Sequence, residues 1–459
     1  AQVFAFYRRI LLNGDHVETD THSDRDPDRN DHNARLGLDY QITPKTVFGT
    51  LLSAYNTKWT MDAHNTSTIS TNEVLDTNIQ VLNTELNQWK HIGGNLYLQH
   101  AFCDGHTITL NADALWYRDN NPTSYHNMYF DPAFNPIYDN FTRATKITPI
   151  RIKVASLDYV RGLGKKIKSE SGLKISHSHF TNDVGVDYLE AGTWLPDPDL
   201  TANYDLTEDI FAAYASLETP LGKGFTLKAG LRYEYTSSNL GSAEVTDIVD
   251  RKFGEWFPSV FLSKDFSENY ALNLSYSKRI TRPTFNDMAP FVIFIDPSTF
   301  FSGNPALQPA IANKIGLGCK LKTVVFNVEY AREDSTIARF QSMVLPGTNK
   351  QLLFAENFRY TDTWSATLSI PVSPFKWWNM YYNLNGSYQK ASRFSEGVIS
   401  DYSAGGLSGF SSQTFTLSKS LTLELTGFYS AGGLFGIVKV NSFGALNAGL
   451  QLKFGAQGN

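Results

Sequence analysis

The densest group of metal-ligand side chains lies early in the chain, where Asp20, Asp24, Asp26, Asp28 and Asp31 are interspersed with His16, His22 and His32. Carboxylate oxygens at that density suit Ca²⁺, but a calcium-binding loop needs Gly at its sixth position and Glu at its twelfth, and neither spacing is met. A solvated acidic loop accounts for the group, and no metal is expected. Signatures of nucleophilic, phosphate-binding or metal-hydrolytic chemistry are missing: there is no Gly-x-Ser-x-Gly, phosphate loop, His-Glu-x-x-His or Cys-x-x-Cys. Neither an enzyme nor a resident cofactor is expected. Cys103 and Cys319, the two cysteines, fall near short turns of different hairpins, so no disulfide is expected between them.

Binding chemistry is better represented. Tyr125, Tyr129, Phe130, Trp194, Phe300 and Phe301 stand in long polar stretches, where their rings could stack on a flat or glycan-like ligand. Packing within those stretches would account for them equally well. A second set is charged: Lys228, Arg232 and Glu234, with Arg279 and Arg282 further on. Whether these line an interior or merely pair with neighbouring carboxylates depends on the elements that carry them.

Those elements are strands. Phe225, Leu227, Ala229, Leu231, Tyr233 and Tyr235 alternate with Thr226, Lys228, Gly230, Arg232 and Glu234. A helix would scatter the two sets around its axis, whereas a strand puts each on one face. Tyr270 to Ser277, Thr107 to Trp116 and Leu446 to Phe454 repeat the pattern. These runs are about 10 to 14 residues long, beyond the usual globular strand and close to the roughly 9 to 11 that cross a bilayer at a tilt.

Connections alternate between short and long. Short ones fall at Thr43–Lys45, Cys103–Gly105, Gly162–Lys165, Pro220–Gly224, Asp265–Asn269, Lys322–Thr323, Ser373–Lys376 and Ser418–Lys419. Between them, Asn13–Asn33, Met61–Gln88, Asp119–Pro149, Asn182–Asp205 and Thr281–Ala312 read as long extracellular loops. That rhythm belongs to an outer-membrane barrel. The expected fold is all-β: one transmembrane antiparallel β-barrel over residues 1–459, about 18 strands, with a polar lumen. Trp116, Tyr117, Tyr233, Tyr235, Trp377 and Trp378 are placed for an interfacial girdle.

Composition agrees. The mean hydropathy is −0.28 and no apolar run approaches the roughly 20 residues of a membrane helix, yet aromatics reach 14%. A net charge of −5 leaves no basic footprint for nucleic acid. The expected surroundings are outer-membrane lipid outside and a small nutrient ligand within.

One stretch is more specific. Tyr276-Ser-Lys-Arg-Ile-Thr-Arg-Pro-Thr-Phe-Asn-Asp-Met-Ala-Pro-Phe291, followed by Gly303-Asn-Pro-Ala-Leu-Gln-Pro309, resembles the mid-barrel signature of TonB-dependent receptors. The likeness is to the outer-membrane β-barrel family common in Bacteroidetes. Ala229 to Thr236 and Trp377-Trp378 with Asn385 to Tyr388 resemble the same family. The resemblance implies a barrel of 22 strands, an N-terminal plug, and energised uptake of a siderophore, vitamin, peptide or glycan through TonB. No plug or TonB-binding motif is read in residues 1–459, so a piece lacking the plug and a hairpin at each end is expected. A passive 18-stranded porin and a structural or adhesive surface barrel are the alternatives.

Overall fold

Alternation from Phe225 to Tyr235 becomes a strand whose apolar set faces outward, with Leu231 and Tyr235 exposed, while Lys228, Arg232 and Glu234 face the interior. The same physics repeats around a sheet. The computed structural model describes residues 2–164, 166–198, 200–290, 292–296, 299–345, 347–395 and 397–454.

The first strands are β1 (Gln2–Leu12), β2 (Asp15–Thr43), β3 (Thr46–Thr71), β4 (Val74–Cys103), β5 (His106–Asn120) and β6 (Thr123–Phe130). Next come β7 (Pro136–Leu163), β8 (Ile167–Glu190), β9 (Thr193–Pro196), β10 (Ala202–Gly222), β11 (Phe225–Ser242), β12 (Val249–Ser267) and β13 (Tyr270–Thr281). A short helix α1 (Phe285–Met288) precedes β14 (Val292–Asp296), β15 (Thr299–Ser302), β16 (Ala310–Leu321), β17 (Val324–Asp334), β18 (Ile337–Val344) and β19 (Gln351–Asn357). The remainder are β20 (Tyr360–Phe375), β21 (Trp378–Ser395), β22 (Val398–Thr416), β23 (Leu421–Ser430), β24 (Gly433–Phe435), β25 (Val438–Val440) and β26 (Phe443–Leu452).

Twenty of these form one antiparallel sheet. Both β5 and β6 pair with β4 and β7, so they are one interrupted strand. Likewise β9 and β10 pair with successive stretches of β8. Merging each couple leaves eighteen staves in chain order, the number the alternation suggests, forming the wall of a transmembrane antiparallel β-barrel. Among the described residues no ladder joins β26 to β1. The ladder of β1 covers only Asp15 to Arg25 of β2, so residues 26–43 of β2 pair with β3 alone.

The short connections fall at or within a few residues of the places the sequence marks, as at Lys376 and Trp377 after β20, and Lys165 of the third lies outside the described residues. The long polar stretches need correction, because most are strand. Met61–Gln88 is a hairpin: β3 continues to Thr71, turns at Asn72 and Glu73 with φ of 50° and 68°, and returns as β4. Asn13–Asn33 is strand from Asp15 onward, entered through a tight Asn13-Gly14 turn with φ of 53° and 97°, the pairing that type I′ hairpins favour. A 30-residue β4 is about three times what a bilayer crossing needs. The wall therefore rises well above the membrane as a polar collar.

Side chains sort by level. Within the membrane the outer face carries Leu38, Tyr40, Leu52, Leu96, Leu98 and Leu110, all exposed to lipid. The inner face is hydrogen-bonded: Asn95 donates to Asp113 at 2.7 Å, Tyr97 donates to Asp39 at 2.9 Å, and Tyr214 donates to Asp158. Buried apolar clusters lie higher, where strands meet loops, as with Val184, Leu206, Leu240, Val249, Phe285 and Met288.

Candidate ligand site at the extracellular mouth

Two long connections build a second sheet inside the collar. From the segment between β13 and β16 come β14 and β15; from the segment between β17 and β20 come β18 and β19. They assemble in the order β14-β15-β19-β18, with β15 and β19 parallel. Prolines at 283, 290, 305 and 309 cannot donate ladder hydrogen bonds, which keeps the first connection out of the barrel wall; Pro297 lies outside the described residues.

Helix α1 is the joint between the two connections. Thr284 is its N-cap, and its backbone N–H donates to Asp287 Oδ2 at 2.8 Å while Asp287 N–H donates back to Thr284 Oγ1 at 3.3 Å, a reciprocal capping box. The same carboxylate accepts both arms of Arg339, Nε to Oδ1 and Nη2 to Oδ2, each at 2.8 Å. Asp287 is 3% exposed. Burial opposes its charge, but the Arg339 guanidinium and the Thr284 N–H outweigh it and hold the carboxyl below its ordinary value. Asn304 N–H then donates to the Asp287 carbonyl at 2.6 Å, and Gly303 N–H to the Ala289 carbonyl at 3.2 Å. A Cβ on Gly303 would lie 2.2 Å from that carbonyl oxygen, so only glycine permits the approach.

The loop sheet is fastened to the wall on several sides. Arg282 donates to Glu234 at 2.7 Å and to Thr236 at 2.8 Å, tying the first connection to β11. Phe285 stacks on Phe180 of β8 with ring centroids 6.1 Å apart. Arg8 of β1 donates to the Asn349 backbone and side chain at 2.9 and 2.8 Å. Phe300 packs against Ile79, Val81, Tyr125 and Tyr129 of β4 and β6. A third connection, carrying β24 and β25, reaches Gln341 through Ile437 N–H at 3.3 Å. Three loops thus span the mouth.

The aromatic candidates divide. Tyr125, Tyr129 and Phe300 come together in the inner packing just described. Phe301 tilts against Phe340, which in turn stacks on Phe435, at 5.8 and 6.2 Å. Phe130 and Trp194 do not join them: register puts both on the outer face of the collar, Phe130 beside Phe134 and Trp194 under Arg143 at 4.5 Å. Phe340 and Phe435 gave no sign in the sequence. A register shift between Ala338 and Gln341 throws Phe340 out at φ 56° and 51% exposure, a conformation costly for a bulky side chain.

The charged candidates lie below the mouth. Lys228 bonds Glu170 at 3.2 Å, and Arg232 bonds Glu234 at 2.6 Å, so Glu234 is shared by Arg232 and Arg282. Arg279 is exposed on β13 opposite Ala312. The acidic stretch from Asp20 to Asp31 runs along β2 instead of closing on an ion, and no group of three ligand residues converges among the described residues.

The sequence profile of the outer membrane protein beta-barrel family matches residues 100–457. The chain belongs to that family. This barrel is therefore a component of the bacterial outer membrane. No curated protein matches it in sequence. Among solved structures it is similar to the ferric-catecholate import receptor Fiu from K12 E. coli, in its closed form, at 11% identity and a TM-score of 0.54, over 96% of this chain and 74% of that one. It is also similar to the siderophore receptor PiuA from Acinetobacter baumannii, at 11% identity and a TM-score of 0.51, over 98% and 75% of the two chains. At such identity the shared feature is the fold alone, an outer-membrane β-barrel.

Proposed function

We propose that this barrel is the wall and extracellular mouth of a gated receptor that takes up a scarce nutrient by energised transport. The observation that carries the reading is the loop sheet across the mouth, joined by Asp287 and Arg339 and fastened to β1, β4, β8 and β11. In this reading the row of half-buried Phe301 with exposed Phe340 and Phe435 offers the first stacking surface for ligand. A plug supplied by sequence beyond residues 1–459 fills the lumen, and TonB pulls it to open a path. Lys228, Arg232, Glu234 and Arg279 face that plug.

An inward-folded loop would also suit a passive porin. A surface barrel without transport would leave the lumen charges unused. Ferric catecholates, the cargo class named for Fiu, are the first probe. Cells carrying the natural full-length polypeptide should accumulate a radiolabelled ferric catecholate above a deletion strain, and a protonophore should abolish the difference. Accumulation that survives the protonophore would mark a passive pore, and no accumulation would remove ferric catecholates as the cargo.

A further inference from the structure

A groove of about 680 Å³ lies on the lipid-facing wall, away from the mouth. Its floor is Gly94, Ala112, Ala114 and Ala155, and Leu52, Leu96, Ile175 and Phe211 stand around it. Register places all eight on the outer face of β3, β4, β5, β7, β8 and β10. The groove is thus open to acyl chains along its length.

The same strands carry five exposed cations: Lys58, Lys90, Arg118 and Arg151 directly above the groove, and Lys153 in its lining. The first four share one level. Lys58 is twelve residues past Thr46 at the lower end of β3, Arg118 twelve past His106, and Arg151 twelve before Leu163. About 9 to 11 residues cross the bilayer, so these side chains emerge where outer-leaflet headgroups lie. Trp116, opposite Arg151 in the ladder, marks the same interface.

None of the five makes a salt bridge among the described residues. Lys90 stands directly opposite Arg118 in the ladder, and like charges so placed repel. Two cations at the same height elsewhere on the outer face are compensated. Lys390, twelve residues past Trp378 on β21, bonds Asp401 at 2.8 Å, and Arg332 bonds Asp334 and Asp362. In the groove lining His177 Nδ1 lies 2.8 Å from Asp209. The five cations of the patch therefore have no carboxylate partner of their own among the described residues.

We propose that this patch binds a phosphorylated glycolipid of the outer leaflet, with phosphates on Lys90, Arg118 and Arg151 and an acyl chain in the groove. Charge and continuity with the lipid belt identify the class. Lys58 to Arg151 span three interstrand steps of about 4.8 Å, roughly 14 Å in all. That width suits a headgroup with more than one phosphate better than a single phosphodiester. The inference does not depend on the transport reading.

The test uses the natural full-length protein, delipidated in detergent and titrated with diphosphorylated lipid A by native mass spectrometry. The variant K90Q/R118Q/R151Q should bind about tenfold more weakly or worse, while K390Q should match wild type. Heat-modified gel mobility checks that both variants are folded. Lipid A stripped of its phosphates should bind wild type no better than the triple variant binds the phosphorylated form. Equal affinity of wild type and triple variant would overturn the proposal. So would phosphatidylglycerol binding wild type as tightly as lipid A, or a second copy of the chain occupying the patch.

Discussion

Asp287 closes α1 through its own capping box and, from the same carboxylate, grips Arg339, 52 residues away on the neighbouring loop. One buried side chain therefore orders two connections at once. Asp287→Asn would keep the size, lose the charge and leave Arg339 with one arm unmatched. Breaking fully buried pairs costs about 3 to 5 kcal/mol. Because Arg339 keeps 39% exposure, about 2 kcal/mol is expected here. Hydrogen exchange should show β18 and β19 losing roughly thirtyfold protection, with the barrel wall unchanged.

The same pair predicts a pH response. Asp287 is held below the usual carboxylate value, so its contribution is fully present above about pH 4 and disappears as pH falls through the depressed value. Spin labels at Val74 on the collar and Val344 on β18, both exposed, should keep one narrow distance distribution from pH 7 to about 4 and broaden only below. Broadening between pH 7 and 5 would point to another group.

Two glycines separate close approach from simple strand filling. Gly303→Ala would force a Cβ to 2.2 Å from the Ala289 carbonyl oxygen, whereas Gly386→Ala meets nothing within 4 Å. The first should destabilise the mouth by about 1 to 3 kcal/mol and the second should be near neutral. Protease cleavage within the loop segments, compared across the two variants, reads the difference.

Adjacent residues should respond oppositely to charge. Leu98 faces lipid, whereas Gln99 faces the lumen, where it donates to Thr109. Leu98→Arg should cost about 2 to 4 kcal/mol near the bilayer midplane, and Gln99→Arg much less. Folding into lipid vesicles, monitored by urea titration, measures both.

Much of the wall was legible because lipid and lumen impose opposite chemistry on alternate residues. Phe225 to Tyr235 could be assigned face by face on that ground. The collar was not, since His64 to Thr68 is polar on both faces and leaves hydropathy nothing to detect. Its β-branched threonines and the Asn13-Gly14 dipeptide were the usable signals. At the mouth the sequence marked the Arg282 to Pro309 stretch as unusual, but the partner of Asp287 lies in a different loop. Nothing in one sequence links Asp287 to Arg339, and Phe340 owes its exposure to a register shift. Phe130 and Trp194 were placed with the inner aromatics because strand parity could not be counted through segments read as loops.

The most direct test of the gated barrel is the conductance of the natural full-length protein in a planar lipid bilayer. A silent membrane is predicted, since three joined loops span the mouth and, on the proposed reading, a plug fills the lumen at rest. Stable, ohmic openings of the untreated protein would contradict it and establish a passive pore.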